Sequence, residues 1–278
     1  MLNLRKFYPA VALFCAAVAS FCVGTPGQGQ EAVEINPSSP TSIRVLTYNI
    51  HHGRGSDEKV DLVRVAEVIK AARPDVVALQ EVDDQTQRTG HVDQTAELAR
   101  LVGMNAEFIH QIDFEGGRYG QAVLSKFPMS APQLHWLPGN PDRERRMAGA
   151  VTIDLGARSI LFVTTHLHHA NETFRELQAQ ELNLLFAPED ACERIVILAG
   201  DLNATPESGS LRILSQRWRS ATADNSDILT FPATNANRQL DYILFRPEQK
   251  LQLVSADVIA ESMASDHRPL VVELLFKD

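Results

Sequence analysis

Carboxylate, amide and imidazole side chains recur in this sequence beside apolar segments. The segment IRVLTYN ends at Asn49, DVVALQE ends at Glu81 and ILFVTTH ends at His166. Later apolar segments are flanked by five more such residues: Asp201, Asn203, Asp241, Asp266 and His267. Polar groups in apolar surroundings are costly unless they are paired or used. If the segment ends converge, these side chains line one polar cleft.

The chemistry of such a cleft favours a hard divalent cation. Mg²⁺ prefers oxygen ligands, keeps several waters and is commonly held by one or two carboxylates together with substrate phosphate. The sequence contains neither a CxxC nor an HExxH motif, which argues against a zinc site. We therefore expect Mg²⁺ or Mn²⁺ as the cofactor. Carboxylates and histidines together also allow a general base to activate water and a charged donor to stabilise a phosphoryl transition state.

Each of these residues also has an ordinary structural explanation. Asn49 could cap a turn, Glu81 could pair with an arginine, and Asp201 could form an Asx turn with the residues after it. Asp241 could form a surface ion pair with Arg238. Taken together, however, so many polar residues at segment ends favour a shared site over separate explanations.

The apolar segments predict the elements that must position this site. Period-two and continuous apolar runs predict strands at 43–50, 75–81, 106–111, 121–125, 149–155, 159–166, 195–199, 241–245, 251–258 and 270–276. Helical spacing predicts helices at 57–72, 93–103, 171–187 and 207–214. Strands dominate and helices occur singly between groups of strands. This order predicts an α/β sandwich of two packed sheets with helices outside, and no glycine-rich turn supports a Rossmann fold.

Seven motifs resemble the endonuclease/exonuclease/phosphatase superfamily of metal-dependent phosphoester hydrolases, in particular its small secreted bacterial members. They are TYNIHH (47–52), LQEV (79–82), GRYGQAVLSKFP (117–128), TTHLHH (164–169), AGDLNATP (199–206), LDYILF (240–245) and SDHRPLVVEL (265–274). They follow the order of the family and span nearly the whole domain. The resemblance implies a four-layered α/β/β/α sandwich of two mainly antiparallel or mixed sheets flanked by helices.

The resemblance also implies roles for individual residues. Glu81 is similar to the principal metal ligand, with Asn49 beside it and Asp266 as a further ligand, direct or through water. Asp201 resembles the residue that orients or deprotonates the attacking water, and Asn203 the one that holds a phosphate oxygen. His267, oriented by Asp241, resembles the histidine at the scissile phosphate, and His166 a donor to a non-bridging oxygen. Tyr119 occupies the place of a phosphate-contacting tyrosine, with ordinary strand packing as the alternative. The implied reaction is a single in-line attack of water on phosphorus.

Some positions depart from the family pattern or allow two interpretations. His168 stands where an acid is common, and we expect it to be exposed, whereas His169 matches the family more closely. His51 and His52 are expected at the rim of the cleft. The stretch Arg143–Arg146 is expected to be a solvated loop, with a phosphate clamp as the alternative.

Composition narrows the substrate. The 278 residues carry a net charge of -9, and aromatic residues make up 6%. A strongly basic surface and aromatic stacking platforms are typical of nucleic-acid binding, so we expect a small or lipid-borne phosphoester substrate. A nuclease with the same site is the alternative, and a catalytically inactive binding module is a third hypothesis. The motifs also resemble a hydrolase-like domain associated with GPI-anchor lipid remodelling in eukaryotes.

The N-terminus resembles a secretory signal peptide. Arg5 and Lys6 precede the uncharged apolar run Ala10–Val23, which is short for a transmembrane helix. We expect a signal peptide at 1–24, a flexible leader at 25–41 and the catalytic domain at 42–278. The mature protein would then be secreted or periplasmic, without a membrane span and monomeric. Cys192 would be its only cysteine, so no intrachain disulfide would form.

Overall fold

The computed structural model describes residues 39–140, 144–188 and 193–277. The predicted signal peptide, Cys192 and Arg143 lie outside these residues. The domain boundary at residue 42 stays a prediction. Three residues before it, however, Ser39 Oγ donates to the Leu155 carbonyl at 2.9 Å and accepts from the Ala157 amide at 2.7 Å.

Twelve strands and four helices occupy the described ranges. The strands are β1 (Ser42–Asn49), β2 (Val76–Asp84), β3 (Asn105–Phe114), β4 (Gly117–Ser125), β5 (Gln133–Trp136), β6 (Met147–Asp154), β7 (Ser159–His166), β8 (Val196–Asp201), β9 (Arg219–Ser220), β10 (Asp241–Arg246), β11 (Leu251–Val258) and β12 (Leu270–Phe276). The helices are α1 (Leu62–Ala72), α2 (Gln94–Val102), α3 (Glu172–Phe186) and α4 (Gly209–Leu214). None of these helices has both the length and the apolar character needed to cross a membrane.

The strands form two six-stranded sheets, each of which mixes parallel and antiparallel pairs. The order of the first sheet is β11-β12-β1-β2-β4-β3, and that of the second is β5-β6-β7-β8-β10-β9. Among the described strands, only the pairs β1–β2 and β7–β8 are parallel, and α1 and α3 provide the two crossovers. The predicted sandwich of two mixed sheets is confirmed.

Apolar side chains fill three interfaces that correspond to a four-layered arrangement. Ile43 and Val76 of the first sheet pack with Phe162 and Ile197 of the second in the central core. Two further clusters lie on the outer faces. One contains α3 and α4 residues with the second sheet, and the other contains α1 and α2 residues with the first. Central strands are therefore covered on both sides, which explains their continuous apolar runs.

Several predicted boundaries differ from the structure. The strands predicted at 106–111 and 121–125 are longer and form one hairpin, β3–β4, whose turn holds Glu115 and Gly116 at φ 44° and 77°. Positive φ at both central residues is the geometry that favours tight hairpins, so the Glu-Gly pair was a missed signal. The short strands β5 and β9 were also missed, because neither has an apolar run.

Two helices begin later than the sequence pattern suggests. Helix α1 begins after Asp61, whose side chain accepts a hydrogen bond from the Arg64 amide, and α4 begins after Ser208, which caps it in the same way through the Leu211 amide. In both cases a capping side chain satisfies a free amide and fixes the start of the helix.

The topology brings particular strand ends to one edge. The carboxyl ends of β1 and β2 lie side by side because these strands are parallel, and the same holds for β7 and β8. Strand β10 is antiparallel to β8, so its first residue, Asp241, pairs with the last residue of β8, Asp201. Strand β12 is antiparallel to β1, which places the residues that precede Leu270 near the end of β1.

Candidate active site

Glu81 lies at a bulge inside β2 and not at the end of the strand, where the apolar pattern predicts it. The register of β2 with β4 shifts between Gln80 and Val82, and Glu81 has φ 58°. The strand continues to Asp84 and so includes the charged Asp83. Asp83 accepts two hydrogen bonds of 2.7 Å from Arg88, which neutralise its charge. A search for apolar runs does not find this part of the strand. A bulge redirects a side chain, and here it turns the carboxylate toward Asn49.

Asn49 connects the carboxylates of the two sheets. Its Nδ2 donates to Glu81 Oε1 at 2.9 Å and to Asp201 Oδ2 at 3.1 Å, while its Oδ1 accepts from the His51 amide at 3.0 Å. The amide orientation is fixed, because a flipped amide would place its oxygen against two carboxylates and its nitrogen against an N–H. The side chain therefore orients both carboxylates, and metal ligation through Oδ1 stays a prediction.

The second sheet supplies Asp201, which is 1% exposed. It ends β8 opposite His166 and Asp241 in the strand register, and its Oδ1 accepts from the Asn203 amide at 2.8 Å. The preceding Gly200 is required there, because a Cβ would overlap the backbone of Thr165 in the neighbouring strand. Close strand approach thus sets the position of the Asp201 carboxylate.

His267 lies between two buried carboxylates. Its Nδ1 is 2.9 Å from Asp241 Oδ2, and its Nε2 is 3.6 Å from Asp201 Oδ2. Burial acts to lower the pKa of His267, but the charges of Asp241 and Asp201 outweigh it and raise the pKa to about 10. The imidazole is therefore a cation at neutral pH and can donate from Nε2.

Burial shifts the pKa values of Asp201 and His166 in the directions that favour the neutral form of each side chain. Burial raises the pKa of Asp201 to about 7, opposed by the positive charge of His267. Burial, helped by the charge of Arg146, lowers the pKa of His166 well below its usual value. A carboxylate with a pKa near 7 suits a general base, because both of its protonation states are accessible at neutral pH.

Asn203 determines the hydrogen bonding of His166. Its Nδ2 donates to the Leu167 carbonyl at 3.1 Å and lies 2.9 Å from His166 Nε2, so that nitrogen is the acceptor. In this arrangement Nε2 of His166 carries no proton for a phosphate oxygen. The predicted donor role therefore requires Asn203 to turn away when substrate binds, and the role of either residue stays a prediction.

Ser265 is a buried member of the site that sequence reasoning missed. Its Oγ donates to the Asn49 carbonyl at 2.8 Å and accepts from the His267 amide at 3.3 Å. The hydroxyl thereby ties the segment before β12 to the end of β1. A serine directly before an Asp-His pair was the only sequence signal for this link.

Asp266 and Tyr119 lie at the margin of the site. Asp266 Oδ1 is 3.8 Å from His51 Nδ1, and its side chain is 46% exposed. Tyr119 lies in β4, where burial and then the charge of Glu81 raise the pKa of its hydroxyl. The Arg88 guanidinium carbon lies 5.6 Å from the centre of its ring. This contact agrees with the packing alternative, and contact with phosphate stays a prediction.

A second group of positions concerns the histidines after β7 and the nearby arginines. His168 is half-buried, and its Nδ1 accepts from the amides of Ala170 and Asn171 at 3.1 and 3.2 Å, so the expectation that it is exposed is wrong. Arg146 is 4% exposed, with Nη1 3.0 Å from Glu144 Oε1 and Nη2 3.4 Å from Nδ1 of the exposed His169. The solvated-loop interpretation is therefore wrong for Arg146, whose charge acts on the buried site.

The donor groups present fit a divalent cation. His51, His52 and Glu81 offer ligand atoms that all lie within 4.8 Å of one another, and Asp201, Asp241 and His267 form a second such group. In the second group Asp241 and His267 are hydrogen-bonded to each other, whereas in the first the Nδ1 of the buried His52 has no hydrogen-bond partner in the described ranges. The first group is thus the better candidate for an ion. His52 was expected at the rim, but it is buried.

Residues 46–267 match the model of the Endonuclease/Exonuclease/phosphatase family. The chain belongs to this family. Its members are phosphoester hydrolases, and the family generally uses a divalent metal. The fold and the order of the site residues described above agree with this assignment. The predicted resemblance to this family is confirmed, whereas the resemblance to its small secreted bacterial members stays a prediction.

Individual proteins of known sequence or structure are also similar to the chain. It is 31% identical over 136 residues to Protein cwh43 of Schizosaccharomyces pombe, a match that covers 49% of this chain and 14% of that protein. An endonuclease/exonuclease/phosphatase structure from Beutenbergia cavernae has a TM-score of 0.69 at 24% identity, over 85% of this chain and 72% of the other. The mannosyl-6-phosphatase Bt3783 of Bacteroides thetaiotaomicron has a TM-score of 0.68 at 18% identity, over 84% and 100%. These structural similarities support the fold.

Proposed function

We propose that this protein is a divalent-metal-dependent phosphoester hydrolase that acts on a small or lipid-borne substrate by in-line attack of water. The observation that carries the proposal is the convergence of Glu81 from one sheet with Asp201 and His267 around the bridging amide of Asn49. Carboxylates for a cation, a base with a pKa near 7 and a cationic donor are the groups that this hydrolysis requires.

Asp201 is the proposed general base. Its two oxygens are held by the Asn203 amide and by Asn49 Nδ2, so the carboxylate has a fixed direction. As a water oxygen bonds to phosphorus, Asp201 takes the water proton, the ester P–O bond breaks, and the leaving oxygen is protonated from solvent. Fixed orientation of the base and its near-neutral pKa favour this transfer.

His267 is the proposed donor to the phosphoryl oxygens. Asp241 holds its Nδ1, which leaves Nε2 to donate, and Asp241 is itself fully buried. The imidazolium would stabilise negative charge that grows on the non-bridging oxygens. A divalent ion at Glu81 would supply further positive charge to the same phosphoryl group when bound.

The preference for a small or lipid-borne substrate rests on charge and composition. A net charge of -9 disfavours a firm hold on a polyanion, which needs many lysine or arginine contacts to phosphate. We also propose that the protein acts outside the cytoplasm. Support comes from the sequence, where Arg5 and Lys6 precede an apolar run of signal-peptide type.

The test is a substrate panel with metal titration. Metal-free protein is incubated with bis-p-nitrophenyl phosphate and p-nitrophenyl phosphate, each with and without Mg²⁺ or Mn²⁺, and then with plasmid DNA, RNA and phospholipids. We expect metal-dependent release from the small esters at a higher kcat/KM than from nucleic acid. Faster cleavage of DNA or RNA would favour the nuclease alternative. Well-folded protein without activity on any ester would contradict both and favour a binding module.

A further inference from the structure

Three unusual backbone conformations place ligand groups together at the ends of β1 and β2. His51 and His52 follow each other with φ 46° and 45°, and Glu81 has φ 58° at its bulge. Residues other than glycine rarely adopt positive φ, and each such position carries a conformational cost. Here all three side chains offer ligand atoms within 4.8 Å of one another.

The side chain of Gln94 holds the turn that carries the two histidines. Gln94 is fully buried, and its Nε2 donates to the His52 carbonyl at 2.7 Å while its Oε1 accepts from the Asp83 amide at 2.9 Å. One side chain thus fixes the turn to β2 two residues beyond Glu81. The backbone that carries His52 is therefore tied to the strand that carries Glu81.

His52 has an imidazole nitrogen that no described part of the protein uses. The residue is 6% exposed, and its Nδ1 has no hydrogen-bond partner there. A buried polar atom without a partner costs free energy that a bound ligand can offset. The neighbouring His51 is half-buried, and its Nδ1 lies 3.8 Å from Asp266 Oδ1, so a second carboxylate adds negative charge beside the group.

We propose that the ion at Glu81 is bound by a mixed set of ligands, the Glu81 carboxylate with the imidazoles of His51 and His52, and that the site therefore prefers transition-metal ions such as Co²⁺ or Zn²⁺ to Mg²⁺. The inference rests on the proposed function, in which a divalent ion lies at Glu81. Mg²⁺ selects oxygen ligands, whereas imidazole suits transition metals. Two imidazoles with one carboxylate form the ligand set of several zinc and non-haem iron sites.

The test measures metal binding directly, without a hydrolysis assay. Co²⁺ and Mg²⁺ are titrated into the metal-free full chain by calorimetry, and the intensity of the visible absorption of bound Co²⁺ reports its coordination geometry. We expect Co²⁺ to bind at least about 10-fold more tightly than Mg²⁺. His51→Gln and His52→Gln should each weaken Co²⁺ binding by about 10- to 100-fold or more, since loss of even an outer partner of a ligand costs that much. The exposed His91 provides the control variant His91→Gln, which should bind like the wild type.

Two results would overturn the inference, and they differ in what they mean for the proposed function. If Glu81→Gln loses Co²⁺ while both histidine variants bind it normally, the site uses oxygen ligands alone, and Mg²⁺-dependent hydrolysis remains in place. If the wild type binds neither ion and hydrolyses no ester, both proposals fail. Because a variant of the buried His52 could misfold, zinc X-ray absorption of the loaded wild type gives an independent answer. Scattering from two imidazoles supports the mixed set, because the group of Asp201, Asp241 and His267 offers a single imidazole, and scattering from fewer than two contradicts it.

Discussion

Replacement of Asn49 by aspartate tests whether this amide holds the two carboxylates of the site together. Asn49 Nδ2 donates to both Glu81 and Asp201. Asn49→Asp replaces this donor with a third negative charge of nearly the same size. Both hydrogen bonds are lost, and three carboxylates then face one another in the absence of an ion.

The expected loss of stability follows from these contacts. A hydrogen bond to a charged group contributes about 1.5–3 kcal/mol, so two such bonds set a range of about 3–6 kcal/mol. Protonation of one carboxyl relieves the repulsion in part, since burial already raises the pKa of Asp201 to about 7. We therefore expect a loss near the lower end, about 3 kcal/mol. For a domain of this size this corresponds to a fall in Tm of about 6–12 °C.

Thermal unfolding in EDTA and in excess Mn²⁺ measures this effect. Asn49→Ala is the control, because it removes the donor and adds no charge, and it should lose less stability in EDTA. Bound ion stabilises the native state by mass action, about 2.7 kcal/mol at 100 times Kd. The added carboxylate should make the recovery in Mn²⁺ larger for Asn49→Asp than for the wild type. An Asn49→Ala variant that keeps the wild-type Tm in EDTA would refute the bridging role, because it lacks both hydrogen bonds.

Three further predictions concern activity and packing. Glu81→Gln and His267→Ala should each lower kcat/KM by about 100-fold or more with unchanged circular dichroism, because the first removes a ligand of the divalent ion and the second removes the cationic donor to the phosphoryl oxygens; near-normal turnover of either variant would show that its role is assigned wrongly. Gly200→Ala should cost about 1–3 kcal/mol in urea unfolding, since its methyl group would overlap the Thr165 backbone. Gly139→Ala is the matched control, because a Cβ there meets only Gln178, at 3.9 Å, and equal stability of the two variants would contradict the packing argument. Chelation should abolish hydrolysis and Mn²⁺ should restore it, and activity that persists after exhaustive chelation would argue against a metal-dependent reaction.

For several residues the sequence allowed both a structural and a functional explanation, and only the fold decides between the two. Asp241 could have formed a surface ion pair with Arg238, but it is fully buried and contacts His267. Arg146 could have been solvated, but it is 4% exposed beside Glu144. Sequence pattern reports the character of a residue, whereas its partner depends on which strand lies next to it.

The sequence by itself determined the two-sheet α/β architecture, the central strands and the set of polar residues beside them, because these depend on local periodicity and on the order of segments. Only the tertiary structure decided that β2 continues past Glu81 and bends there, that Asn49 bridges two sheets, and that His52 is buried with a ring nitrogen that has no hydrogen-bond partner among the described residues. A bulge and its register arise from pairing between strands that are distant in the chain. The pKa values of Asp201 and His267 likewise depend on burial and on facing charges, which exist only once the two sheets have packed together.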